Sequence, residues 1–396
     1  MSLNETPNAN RLHIAVFGRR NSGKSSLINA ITNQQTAIVS DVAGTTADPV
    51  YKAMELNPIG PCVFIDTAGF DDVGELGMMR VEKTKNVLDK TDIALMVFCD
   101  ADMSLEKEWL EEMKQRNIPV VAIVNKADVL NNAGKLSDKI KAEFKLQPIV
   151  VSASKNFNID DVKNEIIRVL PADFESDSIT GHLVQENDVV LLVMPQDIQA
   201  PKGRLILPQV QTIRDLLDHK CVVISTVADK IDEALASLAK PPELIITDSQ
   251  VFGLVYGKKP KESKLTSFSV LLSKYKGDID EFVKGAAAVD TLKETDSVLI
   301  AEACSHKPLD GDIARVKIPN MLRKKVGQGL KIDVVGGNDF PEDLSPYSLI
   351  VHCGGCMFNK KYLMSRIERA KTQGVPISNY GVVIAKLTGI LDKIDY

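Results

Sequence analysis

The sequence predicts an α/β protein of three consecutive segments, and two observations carry that reading. Apolar runs of strand length alternate with helical periodicity along the chain. Its 396 residues exceed one typical core, so two or three domains are expected. In the first segment, residues 12–17 read as a buried strand that opens into a glycine-rich turn and a helix. Residues 61–66, 93–99, 120–125 and 148–152 repeat the strand signal with helical patterns between them, the rhythm of a parallel sheet covered on both faces. Residues 171–178, polar and proline-bearing, read as a linker, which sets the first domain at 1–172.

The second segment, 178–262, has strand signals at 188–194, 221–225 and 243–247, with amphipathic helices at 210–218 and 231–238. It is small for an independent core, so a homodimer built through it is expected. The lysine-rich stretch 257–262 closes it and reads as a solvated linker, since no aromatic or second basic cluster accompanies it. The third segment, 263–396, starts with helical patterns at 265–275 and 279–288. Strand signals follow at 297–301, 331–335 and 348–352.

Net charge is −5 with no long basic run, so no nucleic-acid partner is expected. No apolar stretch approaches the roughly 20 residues that span a bilayer, so no membrane association is expected. Six cysteines in a chain this long do not suggest a disulfide framework, and the expected compartment is a reducing cytoplasm.

Gly18-Arg19-Arg20-Asn21-Ser22-Gly23-Lys24-Ser25 follows the first strand and opens a helix at Ser25 and Ser26, the context a phosphate-binding loop requires. Its glycines let backbone N–H groups turn inward around phosphate oxygens, and the helix N-terminus adds partial positive charge. Lys24 would reach the β- and γ-phosphates, and the Ser25 hydroxyl would bind Mg²⁺. Asp66-Thr67-Ala68-Gly69 ends the next apolar strand, putting a carboxylate in the outer shell of Mg²⁺ and a Gly69 N–H where it can sense the γ-phosphate. Asn125-Lys126-Ala127-Asp128 ends another. The Asp128 carboxylate can accept from the ring N–H and exocyclic amine of guanine, whereas adenine would leave it unsatisfied. Ser152-Ala153-Ser154 can offer the Ala153 N–H to the guanine oxygen. Four motifs in this order on these strands predict a GTP/GDP site and GTP hydrolysis.

These residues resemble the translation-factor-related branch of small GTPases, near the tRNA-modifying GTPase family. The resemblance implies that Ala43-Gly44-Thr45-Thr46-Ala47-Asp48 is a switch loop in which Thr46 closes on Mg²⁺. It also implies that Asn21 coordinates a K⁺ bridging the phosphates, in the charge role of an arginine finger. Phe70 stands where Ras-like enzymes carry a water-orienting Gln, so unaided hydrolysis is expected to be slow.

Cys304-Ser305-His306 and His352-Cys353-Gly354-Gly355-Cys356 gather three cysteines and two histidines into a candidate metal site. Thiolates suit structural zinc and iron–sulfur clusters alike. Five candidates for four positions, an imperfect first knuckle and an uncovered Gly354-Gly355 turn favour the cluster. If the flanking strands are parallel, Cys304 and Cys353 emerge at one carboxyl edge of the sheet. With the GTPase motifs ahead of it, this pattern resembles the [FeFe]-hydrogenase maturation GTPase family over the whole chain. That resemblance implies a [4Fe-4S] cluster on Cys304, Cys353 and Cys356, with His306, His352, a carboxylate from elsewhere or a bound small molecule as candidates for the exchangeable fourth iron. It implies a scaffold for the diiron precursor of the hydrogenase, made with two radical-SAM maturases and delivered to the [FeFe]-hydrogenase apoprotein. The competing reading is a tRNA- or ribosome-directed GTPase with a structural Cys/His zinc site.

Overall fold

Seven consecutive buried residues, Leu12–Gly18, form β1 and set the centre of the first sheet. This computed structural model describes residues 7–32, 49–72, 75–171, 178–195, 205–303 and 312–396. The expected switch loop 43–48 and most of the linker 171–178 lie outside the described residues. Chain contacts divide the protein into two units, Met1–Ser176 and Asp177–Tyr396.

In the first unit, β1 lies between β3 (Gly60–Asp66) and β4 (Ile93–Phe98), followed outward by β5 (Val120–Val124) and β6 (Ile149–Val150). All these pairings are parallel, as continuous apolar runs require when helices cover both faces. β2 (Val50–Leu56) adds an antiparallel edge that its sequence does not announce. Most of its residues face solvent, so no continuous apolar run marks it. α1 (Lys24–Thr32) and α5 (Ile159–Arg168) pack with one core cluster, containing Leu27, Ile31, Val162 and Ile166. α3 (Ser104–Gln115) and α4 (Ala133–Phe144) pack with another, containing Trp109 and Ile140. α2 (Glu75–Leu88) completes the layers.

The second unit holds two four-stranded parallel sheets. One has the order β10-β9-β7-β8, from β7 (Val189–Val193), β8 (Val222–Thr226), β9 (Leu244–Thr247) and β10 (Lys264–Ser267). The other has the order β12-β11-β13-β14, from β11 (Ser297–Glu302), β12 (Lys331–Gly336), β13 (Leu349–His352) and β14 (Ile377–Asn379). One core cluster joins Leu191, Ile245 and Leu265 of the first sheet to Leu299, Ile350 and Ile377 of the second. The middle and third segments therefore share a hydrophobic core. β10 runs straight into α9 (Phe268–Lys276), whose N-cap Ser267 side chain accepts from the Val270 N–H. The expected boundary between 262 and 263 thus falls beside a strand of the middle sheet. A short strand followed without a turn by a helix reads in sequence as one helical pattern.

Helices α6 (Leu207–Asp218), α7 (Ile231–Ala236), α8 (Phe252–Lys258), α10 (Ile279–Ala286), α11 (Ile318–Val326), α12 (Lys360–Thr372) and α13 (Tyr380–Leu387) complete the second unit. Among the described residues no helix is long and apolar enough to cross a membrane.

Candidate functional site

The parallel strands of the first sheet send β1, β3 and β5 to one carboxyl edge, so the loops after them converge. After β1 the chain turns through Gly18, Asn21 in the left-handed region (φ 57°) and Gly23 (φ 90°). A Cβ on Gly23 would lie 2.3 Å from Asn125 Nδ2, so only glycine fits there. Lys24 is buried and its ammonium donates to the Gly18 and Arg19 carbonyls at 3.0 and 2.9 Å. Burial lowers its pKa, opposed chiefly by Asp66. Ser25 Oγ donates to the Asp66 carboxylate, the two groups expected at Mg²⁺. Burial raises the Asp66 pKa, while that hydrogen bond and Lys24 lower it. Ser22 Oγ is buried without a hydrogen-bond partner among the described residues.

Asn125 ties three loops together. Its Nδ2 donates to Ser22 O at 3.0 Å and Gly23 O at 3.4 Å, and its Oδ1 accepts from the Ala153 N–H at 3.2 Å. Asp128 is exposed, and its two oxygens accept from Ser152 Oγ at 2.7 Å and Ser154 Oγ at 3.0 Å. The Ser152 bond holds its pKa below the usual carboxylate range. Ser26, Asn125, Lys126, Asp128, Ala153 and Ser154 help line a cleft of about 250 Å³, which Gly23 also borders. Gly69 follows β3 against the Arg20 backbone, whose N–H donates to Asp71 Oδ1 at 2.5 Å. Thr46 lies outside the described residues.

Two features of this edge escape sequence reasoning. Phe70 is buried and stacks on Trp109 at 5.4 Å, so the position after the Asp66–Gly69 motif belongs to the core. Arg19, inside the phosphate loop, is tied to Glu106 (2.9 Å) and Asp102 (3.2 Å) of another loop and helix. Partners more than 80 residues away in sequence leave no local signal for Arg19.

In the second unit β11 and β13 pair in parallel, so Ala303 and Cys353 leave the sheet at the same edge. The Ala303 N–H donates to Cys353 Sγ at 3.0 Å, and the Gly355 N–H does so at 3.4 Å. Burial pushes the Cys353 thiol up to about 11. Gly355 adopts φ 62°, the turn that brings its N–H back onto that sulfur. Cys356 is half-buried and packs against the core cluster that contains Leu271 and Leu272. Cys304 and His306 lie outside the described residues, and the described ones alone hold no group of three metal-ligating side chains.

His352 departs from its expected place as a ligand. It is fully buried, with Nδ1 on Cys353 O at 2.7 Å and Nε2 on Arg366 Nη1 at 3.0 Å. Both ring nitrogens are committed to protein partners, because the last residue of β13 points into the core under the turn. Burial and Arg366 hold its pKa down to about 3, so it is neutral. Near the same turn, Lys276 donates to Phe358 O at 2.8 Å and Cys356 O at 3.3 Å. Arg366 and Lys276 come from α12 and α9, and no sequence motif announces either.

Comparison with known proteins divides along the same lines. Residues 13–126 match the model of the 50S ribosome-binding GTPase. Residues 179–277 match the hydrogen maturase F dimerization domain, and residues 280–394 match the hydrogen maturase F tetramerization domain. The GTPase Der of Wolinella succinogenes is 34% identical over 180 residues, covering 42% of this chain and 37% of its own length. The tRNA modification GTPase MnmE of Flavobacterium johnsoniae is 31% identical over 166 residues, covering 40% of this chain and 35% of its own. The chain thus spans little more than a third of these curated relatives. Among solved structures, a single-residue variant of Aquifex aeolicus Era bound to GDP·AlF4⁻ aligns over 57% of this chain and 98% of its own, with 19% identity and a TM-score of 0.36.

Proposed function

The chain belongs to the hydrogen maturase F family, and from that premise we propose that it hydrolyses GTP in its first unit and carries an iron–sulfur cluster in its second. GTP would lie in the cleft before Asp128, with Lys24 and the loop N–H groups on its phosphates. Ser25 is assigned to Mg²⁺, and the Asp66 carboxylate, which accepts from the Ser25 hydroxyl, would stand behind it against the ion's water shell. Thr46 is assigned to the same ion. Asn21, at the turn of the phosphate loop, is assigned to K⁺. Gly69 is assigned to the γ-phosphate.

The observation that carries the second half is the pair of N–H groups on Cys353 Sγ. Backbone N–H donors aimed at sulfur suit a cluster thiolate, and one of them belongs to the residue just before Cys304. Cys304, Cys353 and Cys356 would hold a [4Fe-4S] cluster, leaving one iron for an exchangeable ligand. When bound, the cluster supplies an attachment point for the diiron precursor. The high thiol pKa of Cys353 means that binding must release its proton, which the two N–H donors favour by stabilising the thiolate. His306 is retained as a candidate for the fourth iron. His352 is assigned to packing under the turn, since its nitrogens are engaged.

The diiron precursor of [FeFe]-hydrogenase is then cargo, received from two radical-SAM maturases and passed to the hydrogenase apoprotein in the cytoplasm. The test is anaerobic reconstitution with iron and sulfide, followed by EPR of the reduced protein. Replacing any one of Cys304, Cys353 or Cys356 with Ala should abolish the cluster and leave GTP turnover intact. Tight binding of one zinc per chain, with iron never retained, would transfer the assignment to a tRNA- or ribosome-directed GTPase.

A further inference from the structure

Two basic side chains are buried around the Cys353–Cys356 turn, and neither meets a carboxylate among the described residues. Arg366 is 2% exposed and Lys276 is 1% exposed. The Arg366 guanidinium stacks over Phe358 at 4.5 Å and over Phe340 and Tyr362 at 4.7 Å. Its hydrogen bonds go to neutral groups: the Gly337 carbonyl, Tyr362 Oη and His352 Nε2. Its Nε donor has no partner among the described residues. Lys276 spends two of its three N–H donors on the Cys356 and Phe358 carbonyls. Tyr380 Oη and Asn379 Nδ2, at the end of β14 on the same sheet edge, are likewise buried without partners among the described residues.

Burying a cation without an anion costs several kcal/mol, and aromatic faces and carbonyl dipoles offset only part of that. Two such cations beside one turn call for negative charge there. Thiolates on iron supply it, because a cluster held by three of them is anionic in both oxidation states.

We infer that Arg366 and Lys276 are positioning residues of the cluster site, a built-in countercharge that favours the reduced cluster and helps retain it. The inference rests on the cluster assignment above. Reduction brings one electron, and so one further negative charge, into a pocket that already holds two positive ones. Cations so placed stabilise the product more than the reactant. The same charge would favour anionic cargo on the exchangeable iron.

The experiment uses the full-length, anaerobically reconstituted protein in a potentiometric titration followed by EPR. At the wild-type midpoint, Lys276→Met should hold about tenfold less reduced cluster relative to oxidised, a midpoint about 59 mV lower. Lys276→Arg should restore it. Arg366→Lys, which keeps charge, should perturb the midpoint less than Arg366→Met, which removes it. Loss of iron from Lys276→Met but not from Lys276→Arg, with unchanged melting, supports the same conclusion through retention. Unmoved midpoints in both Met variants overturn it, as does equal iron loss from Lys276→Met and Lys276→Arg, which indicates packing alone. A wild-type protein that never retains iron sinks the cluster assignment and this inference together, whereas a wild-type cluster with unmoved potentials sinks the inference alone.

Discussion

Asn125 is the most exacting test of the nucleotide site, because one buried side chain holds the phosphate loop against the base-reading loop. Asn125→Ala removes the donor to Ser22 O at 3.0 Å and the acceptor of the Ala153 N–H at 3.2 Å. A net hydrogen bond contributes about 1 kcal/mol, and a buried group left without a partner costs about 1–3 kcal/mol. The long Gly23 contact, at 3.4 Å, adds little. The expected loss is therefore about 2–4 kcal/mol of stability in the first unit. With a urea dependence of about 2 kcal/mol per molar, the unfolding midpoint should fall by about 1–2 M. The assay is selective because the chain has a single tryptophan, and Trp109 packs inside the first unit against Phe17 and Phe70. Its fluorescence thus follows that unit alone. Asn125→Asp keeps the acceptor for Ala153 and loses the donor, so its midpoint should lie between those of wild type and Asn125→Ala. A midpoint within about 0.2 M of wild type for Asn125→Ala would refute the idea that this strap holds the loops together.

Asp128→Asn should weaken GDP and strengthen xanthosine diphosphate in direct competition, since an amide offers a donor to the carbonyl that xanthine carries in place of the guanine amine; unchanged preference would dismiss Asp128 as the base reader. With Phe70 locked on Trp109, GTP turnover should be slow and faster in K⁺ than in Na⁺ at matched ionic strength, and Asn21→Ala should erase the difference. Equal rates in the two salts would remove K⁺ from the mechanism. His352 binds its proton only near pH 3 when folded and near 6.5 when unfolded, so the unfolded chain takes up the proton first. Stability of the second unit should therefore fall as pH drops from about 6.5 towards 3, with a slope of up to about 1.4 kcal/mol per pH unit from this group, and His352→Gln should flatten it. Coincident slopes by far-UV circular dichroism would rule that contribution out. Leu217 and Val222 are exposed on the segment that matches a dimerization domain, so Leu217→Glu with Val222→Lys should yield monomers by light scattering, and a surviving dimer would move the interface elsewhere.

What the sequence discloses depends on how local the signal is. β1, β3 and β5 are largely buried on both faces and read as continuous apolar runs, with the phosphate and base motifs at their ends. β2 is legible only once paired, because Val50 and Tyr51 face solvent and its stability comes from the antiparallel ladder with β3. β10 and β14 hide for another reason: four and three residues are too few to establish a period before a helix begins. The unity of the second unit is equally invisible, since it lies in Leu191 and Leu299 meeting in one core.

The cysteine site shows the same division at the scale of single side chains. Cys353 and Cys356 are legible as candidate ligands because their spacing is local, and so is the glycine turn that lays an N–H on sulfur. His352 misleads for the same reason: adjacency to a cysteine in sequence says nothing about which way a strand's last side chain points. Both faces of β13 are buried, so its last side chain is enclosed whichever way it points, and Arg366 holds it. Arg366 and Lys276 themselves come from helices far apart in the chain, and each looks in sequence like an ordinary solvated charge. The role proposed for them rests on burial without a carboxylate among the described residues, a property of the fold. Candidate ligands can thus be read from spacing, but the electrostatic field around them is a tertiary product, and substitutions that leave every cysteine in place should still change what the proposed site can carry.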